Sequence, residues 1–330
     1  MADVVEANAE PAVTAGVASL AVRDLLRGIR RNGRVLAALP QAIYLEFADP
    51  VPEPRVITVS PPDAIRLPNA IIAGPWEPRP GVTPPGTPVP EPRVITVSPP
   101  DAIRLPNAII AGPWDPRPGV PAPGSAECWA GGSRVLAAGL DIRIVRWWDP
   151  SPVFGPLSRA RLDHGSGVLA RLYAAAEHAP GLAGQEGPGQ LAACCASGDL
   201  AGAVEAAEHL VGLGPGLVPS GDSVVSGVLL ALRLLGGAIS GGTRAVWLAN
   251  WLSAAVTSDA AQRTTTLAAS LLHCAAKGQA AAEVSAVLLG MAGQEPLEPA
   301  ASRLLASVQG VDLAWGLVAG CRAALLLSVS

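Results

Sequence analysis

Charged residues are scarce in this sequence: Asp, Glu, Lys and Arg together make up 15% of its 330 residues. Lys277 is the only lysine, so a P-loop lysine or a Schiff-base lysine would have to be that residue. The net charge of -4 gives no basic surplus. This argues against nucleic acid as a partner, because binding to phosphates needs a basic surface.

Long uncharged runs are missing as well, although 50% of the residues are hydrophobic. The longest stretch without a charged side chain is 245–258, and a membrane-spanning helix needs about 20 apolar residues. The first ten residues are acidic and lack the basic and apolar regions of a signal peptide. These absences predict a cytoplasmic protein that does not enter a membrane.

Patterns typical of disulfide or metal sites are also absent from the sequence. The 5 cysteines include no C-x-x-C pair, so we expect reduced, buried thiols in a reducing compartment. The 4 histidines show no H-E-x-x-H or similar spacing, so no zinc site is expected.

What the sequence does contain is a near-identical tandem duplication. Residues 51–82 and 89–120 match at every position except one, where Glu77 corresponds to Asp115. Structural repeats share mainly the positions that face a stacked core, so this identity indicates a copying event and not a repeat architecture. Each copy holds an alternating run, RVITVS, that predicts a short strand. We expect one copy in the fold, but the sequence does not say which.

The pattern along the chain predicts an α+β protein with two domains. The first, 1–155, is β-rich with short strands and contains the duplication; a helix is expected there only over 17–31. The second, 156–330, is rich in Ala, Leu and Gly and is expected to be all-helical. Its helices are predicted near 156–178, 188–196, 199–211, 222–237, 243–257, 264–277, 280–291, 298–307 and 312–327.

Ligand binding is expected at the Gly- and Pro-rich loop in 210–230, LVGLGPGLVPSGDSVVSGVLL. A helix ends at Gly212, and a new one starts near Asp222. Free N–H groups at such a start, together with the helix dipole, can hold an anion. The alternative is a tight connection between two helices that is capped by Asp222. The residues assigned to the anion site are Gly214, Gly216, Ser220 and Gly221 of this segment, together with Thr264, Thr265 and Gly310 from two later helix starts.

The same segment nearly matches the Walker A pattern, but Asp222 stands at the lysine position. A carboxylate there repels phosphate unless a metal ion intervenes, so we exclude an ordinary P-loop nucleotide hydrolase. If a metal ion binds, Asp222 is its expected ligand and Mg²⁺ the expected ion.

A second helix start of similar design lies near the C-terminus. Gly310 and Asp312 occupy positions there that correspond to Gly221 and Ser223 in the earlier start. The two starts could therefore face one another across a pocket. The alternative is that both are ordinary caps, with glycines that allow close helix packing.

A third helix start contains Arg263, Thr264 and Thr265. The threonine hydroxyls suit capping or contact with an anion, and the guanidinium can pair bidentately with a carboxylate or phosphate. With Asp222 and Asp312, Arg263 completes the set of residues that we consider as catalytic candidates.

These motifs resemble a bacterial family known mainly as domain of unknown function 2877, whose named members are AllH-type subunits of oxamate carbamoyltransferase. The family's loop GLGPGLTPSGDD and its helix starts R-T-T-x-x-S-A and S-G-x-D-L correspond here to LGPGLVPSGD, RTTTLAA and QGVDL, in the same order. The resemblance covers most of the chain apart from the N-terminal tail and one repeat copy.

Four polar positions of the family pattern are changed in this sequence, while its glycines persist. The backbone geometry is therefore expected to be kept, and cation binding to be weak or lost. The changes are Val218 for Thr, Ser223 for Asp, Ala268 for Ser and Gln309 for Ser.

The resemblance implies a subunit that acts with two other protein types in the breakdown of ureides such as allantoin. That complex converts oxalurate and phosphate into oxamate and carbamoyl phosphate. Whether this chain is itself catalytic stays open. One alternative is a non-catalytic assembly subunit, because the helical half is too apolar to be exposed everywhere. The other is a nucleotide-dependent kinase or ligase that uses the Gly-rich loop.

Overall fold

The computed structural model describes a strand-rich first half and a helical second half, which confirms the predicted fold class. The boundary between two domains at 155/156 stays a proposal. The residues that the structure describes are 13–39, 42–47, 58–60, 70–72, 94–98, 104–111, 127–137 and 140–328.

Eight of the described strands close into a barrel in the order β1, β10, β9, β8, β2, β3, β6, β7. Two parallel contacts, β1 with β10 and β6 with β7, interrupt an otherwise antiparallel ladder. The strands are β1 (Val13–Ser19), β2 (Arg31–Leu39), β3 (Ala42–Phe47), β4 (Thr58–Ser60), β5 (Ala70–Ile72), β6 (Val94–Ser98), β7 (Ala108–Ala111), β8 (Glu127–Gly131), β9 (Arg134–Ala137) and β10 (Leu140–Trp148).

The barrel encloses its own apolar core. Ile95, Val97, Ile109 and Ile142 are all buried in it, contributed by three of the strands. Closure leaves no free edge among these strands, which removes a template for aggregation.

The helix expected over 17–31 is largely wrong. Val13–Ser19 forms β1, and only a short 3₁₀ turn, Leu20–Val22, and the five-residue helix α1, Arg23–Arg27, follow it. Strand pairing explains the difference, because β1 lies between β10 and β7 and closes the barrel.

The second half is built from helices that enclose a separate core. They are α2 (Arg159–Ala174), α3 (Glu186–Ser197), α4 (Leu200–Leu210), α5 (Ser220–Leu230), α6 (Gly236–Ala238), α7 (Thr243–Ser258), α8 (Ala260–Arg263), α9 (Thr266–Ala276), α10 (Ala282–Met291), α11 (Leu297–Leu305) and α12 (Val308–Leu327), with a π-helical turn, Ala231–Leu235, between α5 and α6.

Helices α5 and α12 run parallel and in close contact at the centre of this half. A Cβ atom on Gly227 would lie 2.4 Å from the Leu313 carbonyl oxygen, and one on Gly320 would lie 2.7 Å from that of Val228. Every residue of α5 is buried. The glycines therefore allow close helix packing, as one of the two sequence interpretations proposed, and they bring the two helix starts side by side.

Two segments, Ser220–Ala238 and Val308–Leu327, are long and apolar enough to cross a membrane by length and composition alone. Most of the apolar stretch of each segment is buried inside the fold: 72% of it in the first segment and 78% in the second. Both are therefore accounted for as core helices, since a helix that is apolar on all sides needs to be covered.

The barrel contacts the helices through the second copy of the duplication. The Val94 N–H donates to Ser270 Oγ on α9 at 3.3 Å. The Ala282 N–H on α10 donates to the Arg104 carbonyl oxygen at 3.0 Å. The open question of which copy enters the fold is thus answered for this structure: β6 and β7 belong to 89–120, whereas β4 and β5 belong to 51–82.

Candidate functional site

The loop between α4 and α5 has the unusual backbone that its glycines predict. Gly212, Gly214 and Gly216 have φ values of +80°, +110° and +99°, a region that other residues rarely adopt. A Cβ on Gly212 would lie 2.1 Å from the Arg263 carbonyl oxygen. The loop therefore packs directly against the segment that precedes α9.

The start of α5 differs from the predicted cap. Pro219 is the N-cap residue, and the helix start carries no capping hydrogen bond from a side chain. The Gly221 N–H donates to the Leu213 carbonyl oxygen at 2.9 Å. The main chain thus uses one of the donors that we assigned to an anion, and Asp222 is not the cap.

Asp222 instead points its carboxylate back toward the loop. Its Oδ2 accepts hydrogen bonds from the Gly212 N–H at 3.1 Å and the Thr264 hydroxyl at 2.8 Å. The residue is 1% exposed, and Oδ1 has no hydrogen-bond partner among the described residues. Burial raises the pKa of Asp222 from its ordinary 3.8 to about 6, and the hydrogen bonds only partly oppose the rise.

Asp312 is the second buried acid of the site, on the second turn of α12. The Gly181 N–H donates to its Oδ1 at 2.9 Å, and the Ser220 hydroxyl lies close to the carboxylate, although no described residue forms a hydrogen bond of regular geometry with Oδ2. It too is 1% exposed. Burial raises the pKa of Asp312, against the opposing effects of the nearby Ser220 hydroxyl and the Gly181 N–H.

The capping role at the start of α12 belongs to Ser307. Its hydroxyl accepts a hydrogen bond from the Gly310 N–H at 3.1 Å. A Cβ on Gly310 would lie 1.7 Å from the Leu304 carbonyl oxygen. Gly310 is therefore needed where α11 and α12 meet, and its N–H serves the helix cap.

Of the three residues predicted at the start of α9, the threonines meet the loop. Thr264 binds Asp222, and Thr265 both donates to the Leu217 carbonyl oxygen at 2.5 Å and caps α9 through the Ala268 N–H. The Arg263 guanidinium lies apart from them. Its Nη1 is 3.9 Å from Glu208 Oε2 and 3.7 Å from Asp259 Oδ2, so acidic side chains already surround its charge.

The two aspartates line different cavities on either side of the paired helix starts. A cavity of about 60 Å³ contains Asp222 in its wall, together with Leu105 and Pro106 from the barrel. A larger cavity of about 310 Å³ is lined by Asp312, Tyr173 and Trp315. Among the described residues, the aspartate is the only charged one in the lining of each cavity.

The four departures from the family pattern converge in space, although they lie far apart in sequence. All of them line the smaller cavity beside Asp222. Two of the four, at Val218 and Ala268, replace a hydroxyl with an apolar side chain, and the change at Ser223 removes a carboxylate. This cavity is therefore less polar and less acidic than the family pattern predicts. The four residues are Val218, Ser223, Ala268 and Gln309.

Sequence reasoning missed the residues that enclose Asp312. A Cβ on Gly181 would lie 2.0 Å from Ser220 Oγ and 3.0 Å from Asp312 Oδ2, so only glycine fits there. The available signal was weak: Gly181 lies in a Pro- and Gly-punctuated loop after α2. Tyr173 and Trp315 lie on helices whose sequences contain no motif that indicates a functional site.

Among the residues that the structure describes, no group of three or more His, Cys, Asp or Glu could hold a metal ion. The Asp222 Oδ1 atom nevertheless has the chemistry of a ligand for a hard cation. Mg²⁺ often takes one or two carboxylates and completes its shell with water and phosphate. A magnesium ion at Asp222 would therefore depend on a bound anion for further ligands.

Fold and site together define a β-barrel protein with a helical half in which paired helix starts hold two buried, incompletely satisfied carboxylates. Residues 210–321 match the family model described as oxamate carbamoyltransferase subunit AllH. The match spans less than half of the chain; it confirms the resemblance over 210–321, whereas its extension to most of the chain stays a prediction. Neither a curated protein nor a solved structure matches the chain.

Replacing Thr264 by valine is expected to destabilise the protein by about 1–3 kcal/mol, because a buried carboxylate loses a hydrogen-bond donor. The pKa of Asp222 should rise further, since the lost hydroxyl favours the charged form. The loss of stability should therefore be larger at pH 8 than at pH 5, measured by denaturant unfolding. Thr266→Val, two residues further along the chain at the start of α9, is the control. Equal losses at both pH values would contradict the role of Thr264.

Proposed function

We propose that this chain is an AllH-like subunit of a carbamoyltransferase-type complex in ureide breakdown, and that the paired starts of α5 and α12 bind its ligand. The observation that carries the proposal is the extent of the family match. Residues 210–321 include the Gly-rich loop, Asp222, Thr264 and Asp312. The matched segment thus contains nearly all of the site.

The buried aspartates indicate what kind of group the site accepts. A carboxylate oxygen that is buried without a partner costs free energy, so its presence favours a functional role. Asp222 Oδ1 and Asp312 Oδ2 can each accept a hydrogen bond from an N–H group. The ureido and carbamoyl groups of oxalurate, oxamate and carbamoyl phosphate all carry such N–H groups. Tyr173 and Trp315 beside Asp312 offer flat surfaces to a planar group.

The anionic end of such a ligand needs donors, because neither cavity is lined by a cationic side chain from the part of the chain that the structure describes. We assign this anionic end to the main chain of the loop at Gly214 and Gly216, which are both exposed. Ser220 lies next to this loop: a Cβ on Gly214 would be 3.4 Å from Ser220 Oγ. Backbone N–H groups and helix dipoles hold anions without a net charge on the protein. Mg²⁺ at Asp222 would add charge compensation.

The chemistry proposed here is positioning and charge stabilisation. Phosphate attacks the carbamoyl carbon of oxalurate, the bond from that carbon to the oxamate nitrogen breaks, and the nitrogen takes up a proton. Carbamoyl phosphate and oxamate leave. Asp312 would orient the N–H groups of the transferred carbamoyl group. The proton that the nitrogen takes up is supplied by the attacking hydrogen phosphate.

The test is carbamoyl transfer by the complex reconstituted with its partner subunits. With Asp312→Asn we expect the rate to fall about 100-fold or more, while the complex still assembles. Asp163→Asn, at an exposed aspartate of α2 that lines neither cavity, is the matched control and should leave the rate unchanged. Full activity of the Asp312→Asn complex would refute a role for this site in the reaction.

A non-catalytic assembly subunit is the second candidate, and one observation favours it. The cavity beside Asp222 has lost polar groups at the four positions where the sequence departs from the family pattern. In that case, omission of the chain would abolish transfer, whereas Asp222→Asn and Asp312→Asn would leave it intact. The same reconstitution therefore separates the two candidates. A cytoplasmic location and hetero-oligomeric partners belong to both.

A further inference from the structure

The barrel contains one copy of the duplicated segment, although the chain carries two. Strands β6 and β7 fill the position between β3 and β1, with Thr96 paired to Ala108. The first copy forms the same parallel pair in the same register, with Thr58 paired to Ala70, as a separate two-stranded sheet. Each copy therefore forms the supersecondary unit that the barrel uses.

The two copies have the same side chains at every position that matters for the barrel. Ile95 and Val97 are buried in its core, and Ile57 and Val59 are their counterparts in the first copy. The single difference, Glu77 against Asp115, lies outside all four strands. A separate two-stranded sheet is at best marginally stable, so the first copy gains if it takes the barrel position.

Contacts between the barrel and the helices do not distinguish the copies either. They use the Val94 N–H, the Arg104 carbonyl oxygen and the side chains of Leu105 and Pro106. The first copy supplies the same groups. They come from Val56, Arg66, Leu67 and Pro68.

Chain connections allow both arrangements. In the structure, β3 reaches the barrel pair through 48–93, and the pair reaches β8 through 112–126. With the first copy in place, the corresponding connections would be 48–55 and 74–126. Each arrangement has one short and one long connection, and the entropic cost of closing a loop grows only slowly with its length.

We propose that the barrel position between β3 and β1 is a binding site for either copy, so that the chain folds into two barrel isomers of similar stability. In one, the occupant is the segment that contains β6 and β7. In the other, it is the segment of the same chain that contains β4 and β5. Either isomer presents the same residues to the Asp222 cavity.

The first test places a charge inside the barrel. Val97→Asp puts a carboxylate in the core, and Val59→Asp is the matched change in the first copy. Each single variant should keep a thermal midpoint close to the parent, because the other copy fills the position. Removal of one of two equal isomers changes the folding equilibrium constant only about twofold. The double variant should lose the cooperative transition of the barrel. If Val97→Asp alone is as unstable as the double variant, the proposal is overturned.

The second test counts the isomers directly. Tyr44 on β3 is paired with Thr96, and its pair in the other isomer would be Thr58. Paired strand positions lie within the Cα distance that a disulfide spans. In the triple variant Tyr44→Cys, Thr58→Cys, Thr96→Cys, both the 44–58 and the 44–96 disulfide should form within one chain, in amounts that differ less than tenfold. Formation of the 44–96 bond alone, or of 44–58 bonds only between two chains, would overturn the proposal.

Discussion

Gly221→Ala is expected to lower the free energy of unfolding by about 3 kcal/mol or more. The added Cβ would lie 1.8 Å from the Leu210 carbonyl oxygen and 2.8 Å from its carbon. Both are backbone atoms at the end of α4, so they can yield only if α4 and α5 move apart. That movement would also disturb the hydrogen bond from the Gly221 N–H to the Leu213 carbonyl oxygen.

The matched control for this change is Gly189→Ala, another helical glycine. A Cβ there meets no atom within 4 Å. Alanine is the better helix former, so this variant should gain about 0.5–1 kcal/mol. Denaturant unfolding of both variants, followed by circular dichroism, measures the difference. A Gly221→Ala protein that is as stable as the parent would show that the close approach of α4 to α5 does not constrain this position.

The parts of the fold that local pattern determines were predicted well. Apolar spacing gave a helix over 312–327, and the structure has Val308–Leu327. The barrel could not be predicted in this way, because its closure depends on β1 pairing with β10 and β7, both far away in sequence. The same pairing overrides the helical spacing near residue 17. Periodicity describes a segment, whereas a closed barrel is a property of pairs of segments.

The candidate site shows the same division. The positions of glycine and proline in the sequence were sufficient to predict the loop and the starts of α5, α9 and α12. It could not show that Asp222 reaches back to Thr264, or that Gly181 donates to Asp312, since these contacts join separate helices. The predicted cap at Asp222 was wrong because the Gly212 N–H of the loop and the Thr264 hydroxyl bind the same carboxylate.

Asp222→Asn is expected to stabilise the protein above pH 7, by up to about 3 kcal/mol, and to change little at pH 4. The folded protein holds the Asp222 proton with a pKa of about 6, against 3.8 for the ordinary group. Between these values the native state binds more protons than the unfolded state, so stability falls as the pH rises. Below 3.8 both states are protonated and the penalty disappears. Above 6 the penalty is complete.

Asparagine keeps the shape of Asp222 and can still accept from the Gly212 N–H and the Thr264 hydroxyl. It cannot ionise, so the variant should have a flatter dependence of stability on pH between 4 and 6 than the parent. The asparagine NH₂ group takes the place of the unpartnered Oδ1. Its N–H groups lack hydrogen-bond acceptors there, which reduces the gain in stability. Unfolding by denaturant at pH 4, 6 and 8 measures the effect, with Glu177→Gln as the exposed control. A variant that is less stable than the parent at pH 8 would contradict this account.

The value of this substitution lies in the comparison of stability with activity. A carboxylate that lowers the stability of the fold near neutral pH has no structural reason to be there. If Asp222→Asn stabilises the chain and the reconstituted complex also loses carbamoyl transfer, the ionisable group serves the reaction or its ligand. If stability rises and transfer is unchanged, Asp222 is present in the sequence but takes no part in the reaction. The four altered residues around its cavity would then mark a chain that supports the complex through assembly alone.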